Sequence, residues 1–138
     1  MTTAIDSNVL IDLIGPANEL SDEAVVALDR ARTKGALMVC PVVVAEIAAY
    51  FASADQLRST LREMSIEVVN FGIPDLHGAG AAYVAYQKRS SKPKPRMLAD
   101  FLVGSHALHQ ADSLLTRDRG YYRTYFPRLK LIDLEKLR

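Results

Sequence analysis

Short apolar runs and helical stripes of apolar residues alternate along the whole chain. Thr3 to Asp6 has the pattern of a first strand, and Asn8 to Ile14 that of a short helix stopped by Gly15-Pro16. Ser21 stands where it would N-cap a helix over Asp22 to Lys34, in which Val25, Leu28 and Ala31 recur at helical spacing. Gly35 supplies the stop. Ala36 to Cys40 is the second strand, and Pro41 opens a helix expected to reach Ala52. A further helix, Ala54 to Met64, sets Leu57, Leu61 and Met64 on one face, and Ile66 to Asn70 is the third strand. Asp75 to Lys88 is helical in spite of Gly78 and Gly80, because small residues beside Tyr83 and Tyr86 suit tight packing. Residues 89–96, RSSKPKPR, form a basic loop. Met97 to Gln110 returns to an amphipathic helix, with Leu98, Phe101, Leu102, Ser105 and Leu108 near one stripe. Ser113 to Thr116 is a buried strand, Arg119 to Tyr125 a helical turn, and Leu129 to Ile132 the last strand. Strands separated by helices predict an α/β fold whose mostly parallel sheet is covered on both faces.

A chain of 138 residues suits one domain, 1–138, with a real core. No apolar run approaches the ~20 residues that a membrane span needs. The start, MTTAIDSNVL, lacks the basic region and cleavage site of a signal peptide, and the lone Cys40 permits no internal disulfide. These features point to the cytoplasm. The net charge of +1 hides an asymmetry. Residues 1–86 carry 5 Lys/Arg against 11 Asp/Glu, and residues 87–138 carry 12 against 5. An acidic half that supplies metal ligands beside a basic half that holds a polyanion suits a nuclease. Two halves whose charges pair after folding would show the same asymmetry.

Four acids, Asp6, Glu46, Asp100 and Asp118, follow predicted strands or open predicted helices. In an open α/β sheet such positions converge on one crevice at the strand C-termini. Carboxylates gathered there repel one another unless a cation neutralises them, and an all-oxygen set suits Mg²⁺ or Mn²⁺ better than zinc. The expectation is a metal-dependent phosphodiester-cleaving site. Each acid also has a plainer reading. Asp6 can be an N-cap, Glu46 the solvent side of VVVAEIAAYF, and Asp100 a favourable charge in a helix's first turn. Asp12 reads as a surface or supporting residue. His106, His109 and Asp112 have a spacing that invites zinc, but Cys40 is distant and no fourth ligand is at hand. Cys40 reads as a small buried hydrophobe, and Gly78-x-Gly80 opens no phosphate loop.

The succession DSNVLIDL, VVVAEI, RMLADFLVGSHAL and LLTRD resembles the PIN-domain family, in particular the VapC-type toxins of bacterial toxin–antitoxin pairs. The resemblance covers nearly the whole chain. It implies a three-layer α/β/α, Rossmann-like fold and Mg²⁺- or Mn²⁺-dependent endoribonuclease activity. It also implies inhibition by a small antitoxin, and a homodimer. Carried over by position, Asp6, Glu46, Asp100 and Asp118 form the acidic site, with Asn8 and Thr116 as polar supports. Pro41 departs from the pattern, standing where a Ser or Thr is usual ahead of the Glu-bearing helix. Asp6 and Asp100 are then the direct ligands. Asp118 would serve a second ion or act through water, and Glu46 would ligate or orient a water.

RNA phosphates would be met by Lys88, Arg89, Lys92, Lys94 and Arg96, with Arg117 and Arg119. The same basic loop could be solvated or could dock the antitoxin. Tyr121, Tyr122 and Tyr125 could stack on bases or pack in the last layer. Two other functions stay open: a PIN nuclease that processes nucleic acid outside a toxin system, and a non-catalytic interaction module. A phospho-receiver is set aside, because the third strand ends in Asn70 rather than an acid.

Overall fold

The computed structural model describes residues 1–95, 97–118 and 120–136. One sheet holds β1 (Thr2–Ile5), β2 (Ala36–Val39), β3 (Ile66–Val68), β4 (Ser113–Thr116) and β5 (Leu131–Asp133). Their order is β3-β2-β1-β4-β5 and every pairing is parallel. Around the sheet lie α1 (Ser7–Ile14), α2 (Ser21–Lys34), α3 (Pro41–Ile47), α4 (Ala54–Glu63), α5 (Ile73–Arg89), α6 (Met97–Gln110) and α7 (Tyr121–Tyr125). Two 3-10 turns, Ala48–Tyr50 and Leu134–Lys136, complete the described elements. The α/β three-layer expectation holds.

β1 is central, with Ala4 opposite Met38 on one side and Leu114 on the other. Both faces of such a strand are covered, so it reads as a continuous apolar run rather than an alternation. Ile5, Leu10, Leu37, Val39, Leu114 and Leu115 are buried around it. Each side chain of this kind contributes roughly 1.5–3 kcal/mol by leaving water. β2 and β4 flank β1, so the chain's path reverses there and the strand C-termini open onto a crevice.

Several boundaries differ from expectation for local reasons. Ser21 lies inside α2 rather than capping it; its hydroxyl accepts from the Asn18 amide instead. The buried stripe of α2 is Ala24, Leu28 and Ala31, while Val25 is exposed. The helix opened by Pro41 ends at Ile47 and tightens into Ala48–Tyr50. A competing cap stops it: the Ser53 hydroxyl accepts from Gln56 N at 3.1 Å, and Gln56 Oε1 accepts from Ala52 N at 2.6 Å. Leu129 falls in the turn after α7, where its amide donates to Phe126, so β5 starts two residues later. Leu98, placed on the buried stripe of α6, is exposed.

Helices α5 and α6 form a closely packed hairpin. A Cβ at Gly78 would lie 2.5 Å from the Ser105 hydroxyl, so glycine is what lets the helices approach. At Gly80 the same atom would meet nothing, so only one of the two glycines serves the packing. His106 and His109 serve this region as hydrogen-bonding residues. His106 Nε2 lies 2.8 Å from the Val69 carbonyl, and His109 Nδ1 lies 3.5 Å from buried Asp75. Asp112 accepts from the Thr2 amide.

Candidate active site

Asp6 is the first residue beyond β1, and burial leaves it 5% exposed. Its Oδ1 accepts from Ser7 N at 2.8 Å, which makes it the N-cap of α1. Its Oδ2 accepts from the Thr116 hydroxyl and from the Tyr122 hydroxyl, each at 2.8 Å. The plain capping reading and the site reading are therefore both present, one on each oxygen. Burial raises the Asp6 pKa above its ordinary value. Thr116, Tyr122 and Ser7 N pull it back, and the Asp118 charge adds to the rise. Among the described residues, every donor to Asp6 is neutral.

Asp118 follows β4 and is buried. Its Oδ1 accepts from Gly120 N at 3.0 Å and Tyr122 N at 3.4 Å, and so starts α7. Its Oδ2 pairs with Arg123 Nη1 at 2.8 Å. Asp100, in the first turn of α6, joins Asp6 and Asp118 along a cavity of about 360 Å³. Ser7, Asn8, Lys94 and Tyr121 also line it. Glu46 stands one bond away: the Ser7 hydroxyl donates to its Oε1 at 3.0 Å, while the residue itself faces solvent. Partial desolvation raises the Glu46 pKa, the Ser7 hydroxyl lowers it, and the Asp6 charge raises it again. Asn8 clasps the exit of β4, donating to the Arg117 carbonyl and accepting from the Arg117 amide, both at 3.2 Å.

The donor set fits a hard divalent cation in kind, since carboxylates and hydroxyls share one cavity and Asp6 lies buried among neutral donors. The described residues do not bring three acidic or imidazole groups together as a ready ligand set. In this geometry Asp6 and Asp118 are each held by protein donors.

The family model of the PIN domain matches residues 3–127. The chain belongs to the PIN-domain family. Solved structures that share its fold include VapBC2 from Rickettsia felis, bound to a DNA fragment from its promoter. That likeness has a TM-score of 0.69 at 18% identity, covering 96% of this chain and 98% of that one. A toxin–antitoxin complex from Klebsiella pneumoniae gives 0.67 at 19% identity, covering 96% and 97%. VapBC-1 from nontypeable Haemophilus influenzae gives 0.66 at 18% identity, covering 98% and 99%. At such identities the likeness is one of fold. No curated protein matches the sequence.

Within this PIN domain the basic residues divide. Lys94 lines the acidic cavity, and Lys92 is exposed on the same loop. Arg89 lies over the Tyr125 ring, 5.7 Å from its centre. Arg96 and Arg119 lie outside the described residues. Arg117, expected at phosphates, has its guanidinium committed inside the protein. It pairs with Asp12 at 2.7 Å, Glu23 at 3.2 Å and Glu135 at 3.4 Å, and donates to the Leu20 carbonyl. Asp12 is accordingly buried beside it rather than lying on the surface. Of the tyrosines, Tyr125 packs on Tyr86 and Phe101, and Tyr121 meets both Tyr86 and the cavity. Tyr122 combines packing with chemistry. Burial, then the charges of Asp6 and Asp100, push its phenol well above the usual value of 10.0, so it stays a donor. Its sequence signal, one tyrosine among three, does not distinguish it. Asp133, at the end of β5, is a further residue of this region that the sequence pattern does not mark as part of a site. Its Oδ1 accepts from the amides of Asp118 and Glu135, and its Oδ2 pairs with Arg123.

Among the described residues, no helix is long and apolar enough to cross a membrane.

Proposed function

We propose that this PIN domain is a divalent-metal-dependent endoribonuclease and the toxin of a toxin–antitoxin pair. The observation that carries the reading is Asp6: a buried carboxylate whose described donors are all neutral, facing a cavity shared with two further acids. Burying such a charge costs several kcal/mol unless a cation compensates it. Membership of the PIN family supports nuclease chemistry, and the toxin–antitoxin complexes among the structural neighbours support a small antitoxin as partner. A homodimer is part of the same reading.

Asp6 and Asp100 would hold Mg²⁺ or Mn²⁺ directly, and Asp118 would act through water. The bound ion supplies a lowered pKa for water and a countercharge for the leaving 3′ oxygen. Thr116 and Tyr122 hold Asp6 in place as donors, and Asn8 fixes the β4 exit that carries Thr116 and Asp118. Glu46, poised by Ser7 and carrying a raised pKa, orients a water and receives its proton. Lys92 and Lys94 take RNA phosphates, with Arg96 and Arg119 assigned to the same role from sequence. Arg117 contributes by holding the strand exit from behind. Cleavage leaves a 5′-phosphate and a 3′-hydroxyl.

The experiment is cleavage of a mixed cellular RNA pool by the purified protein in Mn²⁺, Mg²⁺ or EDTA. An Asp6→Asn/Asp100→Asn variant with an intact melting transition runs beside it. Discrete, metal-dependent fragments absent from the variant are expected. Equal cleavage by both proteins would remove the assignment.

A further inference from the structure

Asp118 lines the acidic cavity while Arg123 and Asp133 line a different one, and between the two cavities one guanidinium bridges two buried carboxylates. The side chains of Asp118 and Asp133 are 1% and 4% exposed, while that of Arg123 is 37% exposed. Arg123 gives one nitrogen to each acid, Nη1 to Asp118 at 2.8 Å and Nη2 to Asp133. The remaining oxygens are also engaged. Asp118 Oδ1 receives the amides of Gly120 and Tyr122, and Asp133 Oδ1 receives those of Asp118 and Glu135. The fork thus ties the ends of β4 and β5 to α7, the element that carries Tyr122 to Asp6.

Burial works against the charge of Asp133, but the bond to Arg123 and the two amides outweigh it and hold its carboxyl below the usual 3.8. Both acids already have a cation in place. A divalent ion taking Asp118 as a direct ligand would have to break the Arg123 bond and sit beside a guanidinium, against charge repulsion. Asp6, whose described donors are neutral, has no such barrier.

We propose that Arg123 is a positioning residue of the acidic cavity: it is the resident cation of Asp118 and Asp133, so the cavity admits one divalent ion, on Asp6 and Asp100. The proposal rests on the metal-dependent reading above and explains why Asp118 acts through water. Lysine at this position keeps the charge, whereas glutamine leaves two buried carboxylates uncompensated and opens a second cation position on them.

The test counts Mn²⁺ bound per chain by electron paramagnetic resonance of the free ion. It uses the full-length wild type, Arg123→Lys, Arg123→Gln and Asp118→Asn, each checked for a cooperative melt. One ion is expected in the wild type, in Arg123→Lys and in Asp118→Asn, and two in Arg123→Gln. An Arg123→Gln/Asp118→Asn variant should return to one. Two ions in the wild type, or one in a folded Arg123→Gln, would overturn the proposal. If Arg123→Gln does not fold, Asp118→Asn decides: loss of the ion there makes Asp118 a direct ligand and overturns it. No ion in the wild type would instead remove the metal-dependent reading itself, a separate outcome.

Discussion

Asp6 illustrates how one side chain can serve folding and chemistry in opposite senses. Its Oδ1 caps α1, a stabilising bond, yet its buried charge is a liability in the absence of a cation. Because burial raises its pKa, the native state holds the proton more tightly than the unfolded chain does. Stability from this group is greatest below the ordinary value of 3.8 and is lost as pH rises through the raised native value. Asparagine keeps the cap on Oδ1 and can donate to the Thr116 or Tyr122 hydroxyl, which can turn to accept. In EDTA, Asp6→Asn should therefore melt higher than the wild type near neutral pH, with the gap closing in acid. Adding Mn²⁺ should raise the wild-type midpoint and leave the variant unmoved. Subtracting the two melts cancels the other titrating groups. Among them is His106, which burial holds below 6.5, so it loses stability as pH falls. A variant that melts lower at every pH would show that the charge is compensated by something else.

At the scale of elements, glycine decides how closely helices approach. A Cβ at Gly104 of α6 would lie 2.7 Å from Phe126 Cε2 and 3.0 Å from Tyr122 Cδ1. Gly104→Ala gains about 1 kcal/mol of helix propensity but loses roughly 1–3 kcal/mol to overpacking. It should destabilise the fold and displace Tyr122 from Asp6, weakening Mn²⁺ binding. Gly80→Ala meets open space and should stabilise by up to about 1 kcal/mol. Urea midpoints of the two variants separate the cases, and equal midpoints would mean that α6 and α7 have slack between them. These glycines also show where reading the chain from its sequence reaches its limit. Gly78 and Gly80 look alike in sequence, since what differs is the neighbour each faces. The meeting of Asp6, Asp100 and Asp118 along one cavity is legible because each follows a strand or opens a helix, which the local pattern marks, whereas Glu46 lies outside that lining. Arg117 reads as one of many basic residues, and its partners Asp12 and Glu23 lie 105 and 94 positions away. Nothing local records such a pairing, and the same holds for Tyr122 and Asp133.

For the molecule as a whole, the uneven charge of the two halves is partly consumed by folding. Arg117 pairs with Asp12 and Glu23 of the acidic half, whereas Lys92 and Lys94 remain at the surface. Pairing after folding thus accounts for Arg117 and leaves Lys92 and Lys94 exposed. RNA affinity should fall with salt, and the Lys92→Ala/Lys94→Ala variant should flatten that dependence by about 0.7 in log–log slope for each lysine. Filter binding across a salt series, with a non-cleaving Asp6→Asn/Asp100→Asn background, measures it. An unchanged slope would move the RNA path off this loop. Finally, the bond from Tyr122 to Asp6 spans 116 positions. A nascent chain still threaded through the ribosome has made Asp6 well before α7 emerges to hold it. Asp6 therefore gains its Thr116 and Tyr122 donors only once that later stretch of chain is free to fold back, so the carboxylate that caps α1 is made long before the hydroxyls that fix its other oxygen.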